Sequence, residues 1–125
     1  MARLIEFTFD NLIKDAGFVR LVMGENLLGG RYLKKSNVVP ALTLPLMEGI
    51  KDLLTRGEAA GVFRKDVDPL QLYITILSVG FTHLSNRHTL SAMFRRDLSD
   101  PQWLEARRKH VRTVVLSYLQ SDSDY

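Results

Sequence analysis

The chain has 125 residues, 46% of them hydrophobic and 25% charged, the balance of one folded domain with a real core rather than a disordered segment or two domains. Its 17 basic and 14 acidic side chains leave a formal charge of +3, too mild to argue for nucleic acid as a general partner. The absence of cysteine excludes disulfides, a thiol nucleophile and a cysteine-ligated metal centre, and fits a protein of the reducing cytoplasm.

Ala2 to Lys14 reads as a helix with a broad apolar face of Leu4, Ile5, Phe7, Phe9, Leu12 and Ile13. Glu6 and Asp10 interrupt that face, so the stretch is not expected to act as a signal peptide or anchor. It lacks an N-cap residue, and the chain is expected to begin inside an element. After a break at Asp15-Ala16-Gly17, a second helix is predicted from Phe18 to about Lys34, with Phe18, Val19, Val22, Met23 and Leu33 on one arc. Gly29-Gly30 marks either its end or a close backbone approach, because each Gly costs a helix roughly 1 kcal/mol relative to Ala. Pro40 and Pro45 each suit a first helical turn, which predicts a short helix or turn around Ser36 to Leu42 and a longer helix from Thr43 to Ala60. Leu46, Met47, Ile50, Leu53 and Leu54 form the apolar face of the longer one, and Gly57 and Gly61 mark its end.

Asp68-Pro69 supplies an N-cap and a first helical residue for a helix to Asn86 that carries no fixed charge. Leu70, Tyr73, Ile74, Leu77, Phe81 and Leu84 share one face, Leu72, Ile76 and Val79 nearly the opposite one, and Gln71, Thr75, Ser78 and Thr82 fill a small stripe. A helix apolar nearly all round is buried on more than one side. One side serves its own core; the other asks for a second body, most often a copy of the same chain. With Gln71, His83 and several hydroxyls in it, the segment is expected to be buried in protein rather than in a membrane. Asn86 to Arg96 reads as a turn and short helix, with Thr89 as cap and Leu90, Met93 and Phe94 facing inward. Asp100-Pro101 starts the last helix, to about Gln120, whose apolar arc is Trp103, Leu104, Val111, Val114, Val115, Tyr118 and Leu119. Beside it runs a strip of Ala106, His110, Thr113 and Ser117, and Ser121 to Tyr125 make a polar tail expected to fray. No stretch reads as a strand, so the predicted class is all-α with five to six helices.

Little in the chain points to catalysis. Asn26 lies among Val19, Val22 and Leu33, where it either bonds a neighbouring backbone or orients a small molecule in a cavity that Met23, Met47 and Ile50 help to line. Glu25, between Phe18 and Tyr32, is expected to pair with Arg20 or Arg31. His83 and His88 lack the i, i+4 spacing of a helical metal pair, so no metal or cofactor is expected. Arg107, Arg108, Lys109 and Arg112 read as a solvated face with apolar stems rather than a phosphate track. No serine, glycine loop or carboxylate pair has a catalytic setting, and no catalytic residue is assigned.

As a set, GFVRLVMGENLLGG, RGEAAGVFRKDVDPLQLY, LSNRHTLSAMF and DPQWLEARRKHVRTVVLSYL resemble, in order and spacing, the C-terminal domain of TetR-family transcriptional regulators. The stretch from Arg56 to Pro69 resembles that family's connection between its long pocket helix and first dimerisation helix. The resemblance implies a homodimer in which the Asp68 and Asp100 helices of two copies form a four-helix bundle, with a small-molecule effector bound among the preceding helices. The expected pocket residues are Phe18, Val22, Met23, Asn26, Met47, Ile50, Tyr73 and Leu77; the expected interface residues are Leu72, Ile76, Val79, His83, Ala106, His110, Thr113 and Ser117. Family members read DNA through an N-terminal helix-turn-helix head that nothing here resembles, so this stretch alone is expected not to bind operator DNA. A module that docks a different protein through the same apolar surface is the alternative.

Overall fold

A computed structural model describes residues 1–120, and the expected polar tail lies outside the described residues. The chain folds into α1 (Ala2–Lys14), α2 (Ala16–Leu27), a 3-10 turn (Leu33–Lys35), α3 (Val38–Ala59), α4 (Pro69–Ser85), α5 (Arg87–Phe94) and α6 (Pro101–Gln120). Among the described residues there is no strand, and the all-α class stands. Helix α4 is the hub: α1, α2, α3, α5 and α6 all pack against it.

Side-chain caps set three of the helix starts. The Asp68 carboxylate accepts the Gln71 N–H at 2.9 Å, Asp100 that of Trp103 at 3.1 Å and Asp15 that of Phe18 at 2.8 Å. The break before α2 is therefore the single residue Asp15. Helix α2 stops at Leu27, short of the predicted end, and Gly29 and Gly30 follow at φ of 67° and 72°. The prolines do not divide α3. Pro40 lies in its first turn and Pro45 within it, and the residues from Val38 to Pro45 are exposed, so water can serve the carbonyl that Pro45 leaves without a donor. Gly57 is buried inside the helix, where a Cβ would overlap the Phe63 ring, and the stop is Gly61 at φ 73°. In α5 the Thr89 hydroxyl donates to the Asn86 carbonyl at 3.0 Å instead of capping. Met93 and Phe94, expected to face inward, are exposed.

The core joins Ile5 and Phe9 of α1, Ile50 and Leu54 of α3, Leu72 and Ile76 of α4, and Val111, Val115 and Leu119 of α6. This corrects the assignment of Leu72 and Ile76 to a second subunit: they are 2% and 1% exposed within the one chain. Bulk on α4 does not decide which face turns inward. The narrow face carries Gly80, 3.6 Å from Leu12 Cδ1 at its Cβ position, and α1 lies close against it and brings the bulk itself in Ile5 and Phe9. The broader face remains at the flank, with Tyr73, Leu77 and Phe81 half-buried and Leu70 and Ile74 exposed.

His83 is likewise corrected from interface to interior. It is 3% exposed, stacked on Phe9 at 5.0 Å between ring centroids and tilted against Trp103 at 5.8 Å. Burial, and then the charge of Arg107, lower its pKa from 6.5 to about 4. The basic run on α6 is partly solvated, with Lys109 and Arg112 exposed, and partly paired with α1. Arg108 holds Asp10 with two bonds of 2.9 and 3.2 Å and lies 3.5 Å from Glu6, which also meets Arg112 at 3.5 Å. These pairs tie α6 to α1.

Two outcomes follow from this packing. Replacing Ile76 with Ala removes a fully buried side chain and is expected to cost about 2–5 kcal/mol, and Ile76→Glu more, with loss of helical circular dichroism rather than release of folded monomers. A thermal midpoint unchanged by either substitution would return Ile76 to the surface. For His83, the unfolded chain takes up its proton near 6.5 and the folded chain only near 4, so stability falls as pH drops through that window and is unaffected by this group above it. The slope attributable to His83 is at most about 1.4 kcal/mol per pH unit. Denaturant titrations of the parent and His83→Phe proteins at several pH values isolate it, and identical slopes for both would refute the assignment.

Candidate ligand-binding site

Two hollows adjoin on the side of α4 away from α6. The larger, of about 760 Å³, opens between α1, the start of α2, α3 and α4, with walls of Leu4, Phe7, Leu12, Phe18, Leu46, Tyr73 and Leu77. Thr8, Asn11, Lys14, Asp15 and Thr43 bring polar atoms to it. The smaller, of about 380 Å³, lies between α2 and α4 against Val22, Asn26, Ile74, Ser78 and Phe81, and shares Leu12, Phe18 and Leu77 with the first. Phe18, in the first turn of α2, stands half-exposed between the two.

Most of the polar lining already has a bond. The Thr8 hydroxyl donates to the Leu4 carbonyl at 2.8 Å, Thr43 to Val39 at 2.8 Å and Ser78 to Ile74 at 2.7 Å, while Asp15 caps α2. Asn26 donates to the Val22 carbonyl at 2.9 Å, which is the backbone bond allowed for it and leaves its side-chain oxygen open. The Tyr73 phenol, the Asn11 amide and the Lys14 ammonium are the other polar groups at the walls. Burial raises the Tyr73 pKa, so the phenol is a neutral donor. Both hollows are open to solvent, with mostly apolar walls and a few dispersed polar groups, the composition common to small-molecule sites.

Of the expected pocket residues, Phe18, Val22, Asn26, Tyr73 and Leu77 line these hollows. Met23, Met47 and Ile50 do not: Met23 is exposed elsewhere on α2, Met47 packs on the core, and Ile50 is 1% exposed inside it. The missing wall is α1, through Leu4, Phe7, Thr8, Asn11 and Lys14. Its signal was the breadth of the α1 apolar face, wide enough to serve a core and a cavity at once. Glu25 does not pair with arginine; its carboxylate accepts the N–H groups of Tyr32 and Leu33 at 3.3 and 3.2 Å and pins the 3-10 turn after α2.

On the opposite side of α4, Ala106, His110, Thr113 and Ser117 are exposed along α6 beside exposed Val114 and Tyr118. Gln71, Thr75 and Thr82 are exposed along α4, and Val79 is half-buried with its carbonyl bonded to Arg107 at 3.0 Å. Among the described residues no three His, Asp or Glu side chains could hold a metal ion, and no helix is long and apolar enough to cross a membrane.

Residues 1–115 match the family model described as the tetracyclin repressor-like C-terminal domain. Over 102 residues the chain is 32% identical to the HTH-type transcriptional repressor NicS of Pseudomonas putida, an alignment covering 82% of this chain and 48% of that protein. The chain thus spans about half the length of the curated relative it matches. The helical order, the long α3 leading through Gly57 and Phe63 to α4, and both sequence matches agree: the chain belongs to the TetR family of transcriptional regulators and carries its C-terminal regulatory domain.

Proposed function

We propose that this domain binds a small, largely apolar effector in the paired hollows between α1, α2, α3 and α4, and pairs with a second copy through α4 and α6. The observation that carries this reading is the placement of α4. Tyr73, Leu77 and Phe81 wall the hollows on one side of it, while Thr75 and Thr82 stand exposed on the other, next to α6. A ligand that moves α4 therefore changes the angle at which two copies meet. The effector acts only to the extent that it binds one dimer geometry better than the other.

The proposed dimer face consists of Thr75, Val79 and Thr82 on α4 with Ala106, His110, Thr113, Val114 and Ser117 on α6. Small side chains there permit close helix approach, and the absence of fixed charge makes their burial cheap. The similar Pseudomonas protein is named an HTH-type repressor, which supports a DNA-reading head preceding this domain in the intact regulator and action on DNA in the cytoplasm, with no catalytic step. Residues 1–125 would then be a single effector-binding and dimerisation unit.

Light scattering at micromolar concentration is expected to give twice the 14.3 kDa chain mass, and Thr113→Arg to give the single chain mass with unchanged circular dichroism. A monomeric parent protein would sink the dimer reading. For the hollows, the uncharged dye Nile red is expected to bind with a fluorescence gain that Leu77→Arg weakens at least about tenfold, a loss of 1.4 kcal/mol or more. Equal dye affinity in parent and variant would remove the shared neck at Leu77 from the site.

A further inference from the structure

At the C-terminal end of α4 lies another hollow, of about 340 Å³, closed by α5, the following turn and the start of α6. It shares no residue with the paired hollows. Leu90, Phe94, Leu98 and Trp103 make its walls apolar, and Arg96 and Arg107 bring two guanidinium groups to it.

The polar groups here are incompletely satisfied. Arg107 gives one Nη2 bond to the Val79 carbonyl, yet its Nε is buried with no partner, and it forms no ion pair among the described residues. Arg96 is exposed and likewise forms no ion pair among them. Both ring nitrogens of His83, which borders the same hollow, are buried and unbonded. The carboxylate nearest in sequence, Asp97, is taken up by the N–H and hydroxyl of Ser99. A partly buried guanidinium without a counter-charge is rare in folded proteins, and an anion in the hollow that Arg107 and Arg96 both line would supply one. Burial already lowers the Arg107 pKa, the direction expected of a cation that lacks its counter-ion. His83 stays neutral at pH 7 and adds no third charge beside the hollow, its ring nitrogens being buried.

We propose that this hollow is a second ligand site, separate from the effector cavity, that takes a small organic carboxylate: the carboxylate bonded by Arg107 and Arg96, and a compact apolar body against Trp103 and Leu90. The volume lies at the low end for ligand pockets, which limits the body to a single ring or short branched chain. Arginine holds a carboxylate through paired, charge-assisted bonds, so the charge on the ligand and not its shape alone determines affinity.

Trp103 is the one tryptophan of the chain and a wall of the site, so its fluorescence reports occupancy directly. Titration of the full chain with cyclohexanecarboxylate is expected to give a saturable change at millimolar concentration. The uncharged cyclohexanecarboxamide is expected to bind at least about tenfold more weakly, as the loss of a charged hydrogen-bond acceptor predicts. Arg107→Gln should abolish saturation. Arg96→Gln, at an exposed position, should weaken it severalfold without moving the thermal midpoint, which separates binding from folding. Leu77→Arg, in the other cavity, should leave the titration unchanged. The absence of a saturable signal, equal affinity for acid and amide, or an Arg96→Gln titration identical to the parent would each overturn the proposal.

Discussion

The close packing of α1 across the narrow face of α4 is the contact on which the rest of the domain depends. Gly80 leaves room for Leu12, and Phe9 and Ile5 then reach in to meet Leu72, Ile76 and the valines of α6. A Cβ at position 80 would meet Leu12 Cδ1 at 3.6 Å, an ordinary contact, so alanine fits there and only a side chain longer than alanine would press α1 outward. Core packing at native density tolerates little such displacement. The Arg108 to Asp10 pair fastens α1 to α6 as well, at the rim where both emerge into solvent.

That packing divides the surface of α4 among three tasks. Leu72, Ile76 and Gly80 face the core; Tyr73, Leu77, Ser78 and Phe81 face the hollows under α1 and α2; Gln71, Thr75 and Thr82 face outward. Since five elements touch α4, a small shift of it is felt in all of them. In the proposed reading one helix is shared by a ligand site and an interface, the kind of arrangement by which a packed domain can switch between two states. The same economy places a third hollow at the end of α4, where His83 and Arg107 remain without full sets of partners.

Polar residues inside the apolar framework act mainly as fasteners. Glu25 holds two N–H groups of the turn after α2, Asp15, Asp68 and Asp100 cap helices, and the Arg64 guanidinium lies 4.7 Å from the Tyr118 ring centre while the Arg64 backbone N–H donates to the Leu119 carbonyl. The last of these anchors the connection between α3 and α4 to the end of α6, so the approach to α4 is set from both directions. None of these groups is arranged against a reacting centre.

The starts of α4 and α6 were readable because they are local: a carboxylate one residue before a proline satisfies N–H groups within the next turn and needs no other part of the chain. The all-α class and the resemblance to TetR regulators were readable for the same reason, being carried by contiguous stretches. The prolines of α3 were misleading because their cost depends on whether water reaches the vacated carbonyl, a matter of exposure that sequence does not state. The two faces of α4 were recognised as both apolar, and Tyr73 and Leu77 do stand at a cavity wall, but the narrow face was given to a second subunit. Hydrophobic periodicity reports that a face is buried but not by what, and only the arrival of α1 at Gly80, from far along the chain, determined that Leu72, Ile76 and His83 belong to the protomer's own core. The cavity followed from that same arrival, since α1 supplies both the side chains that close the core and those that wall the hollow beside it.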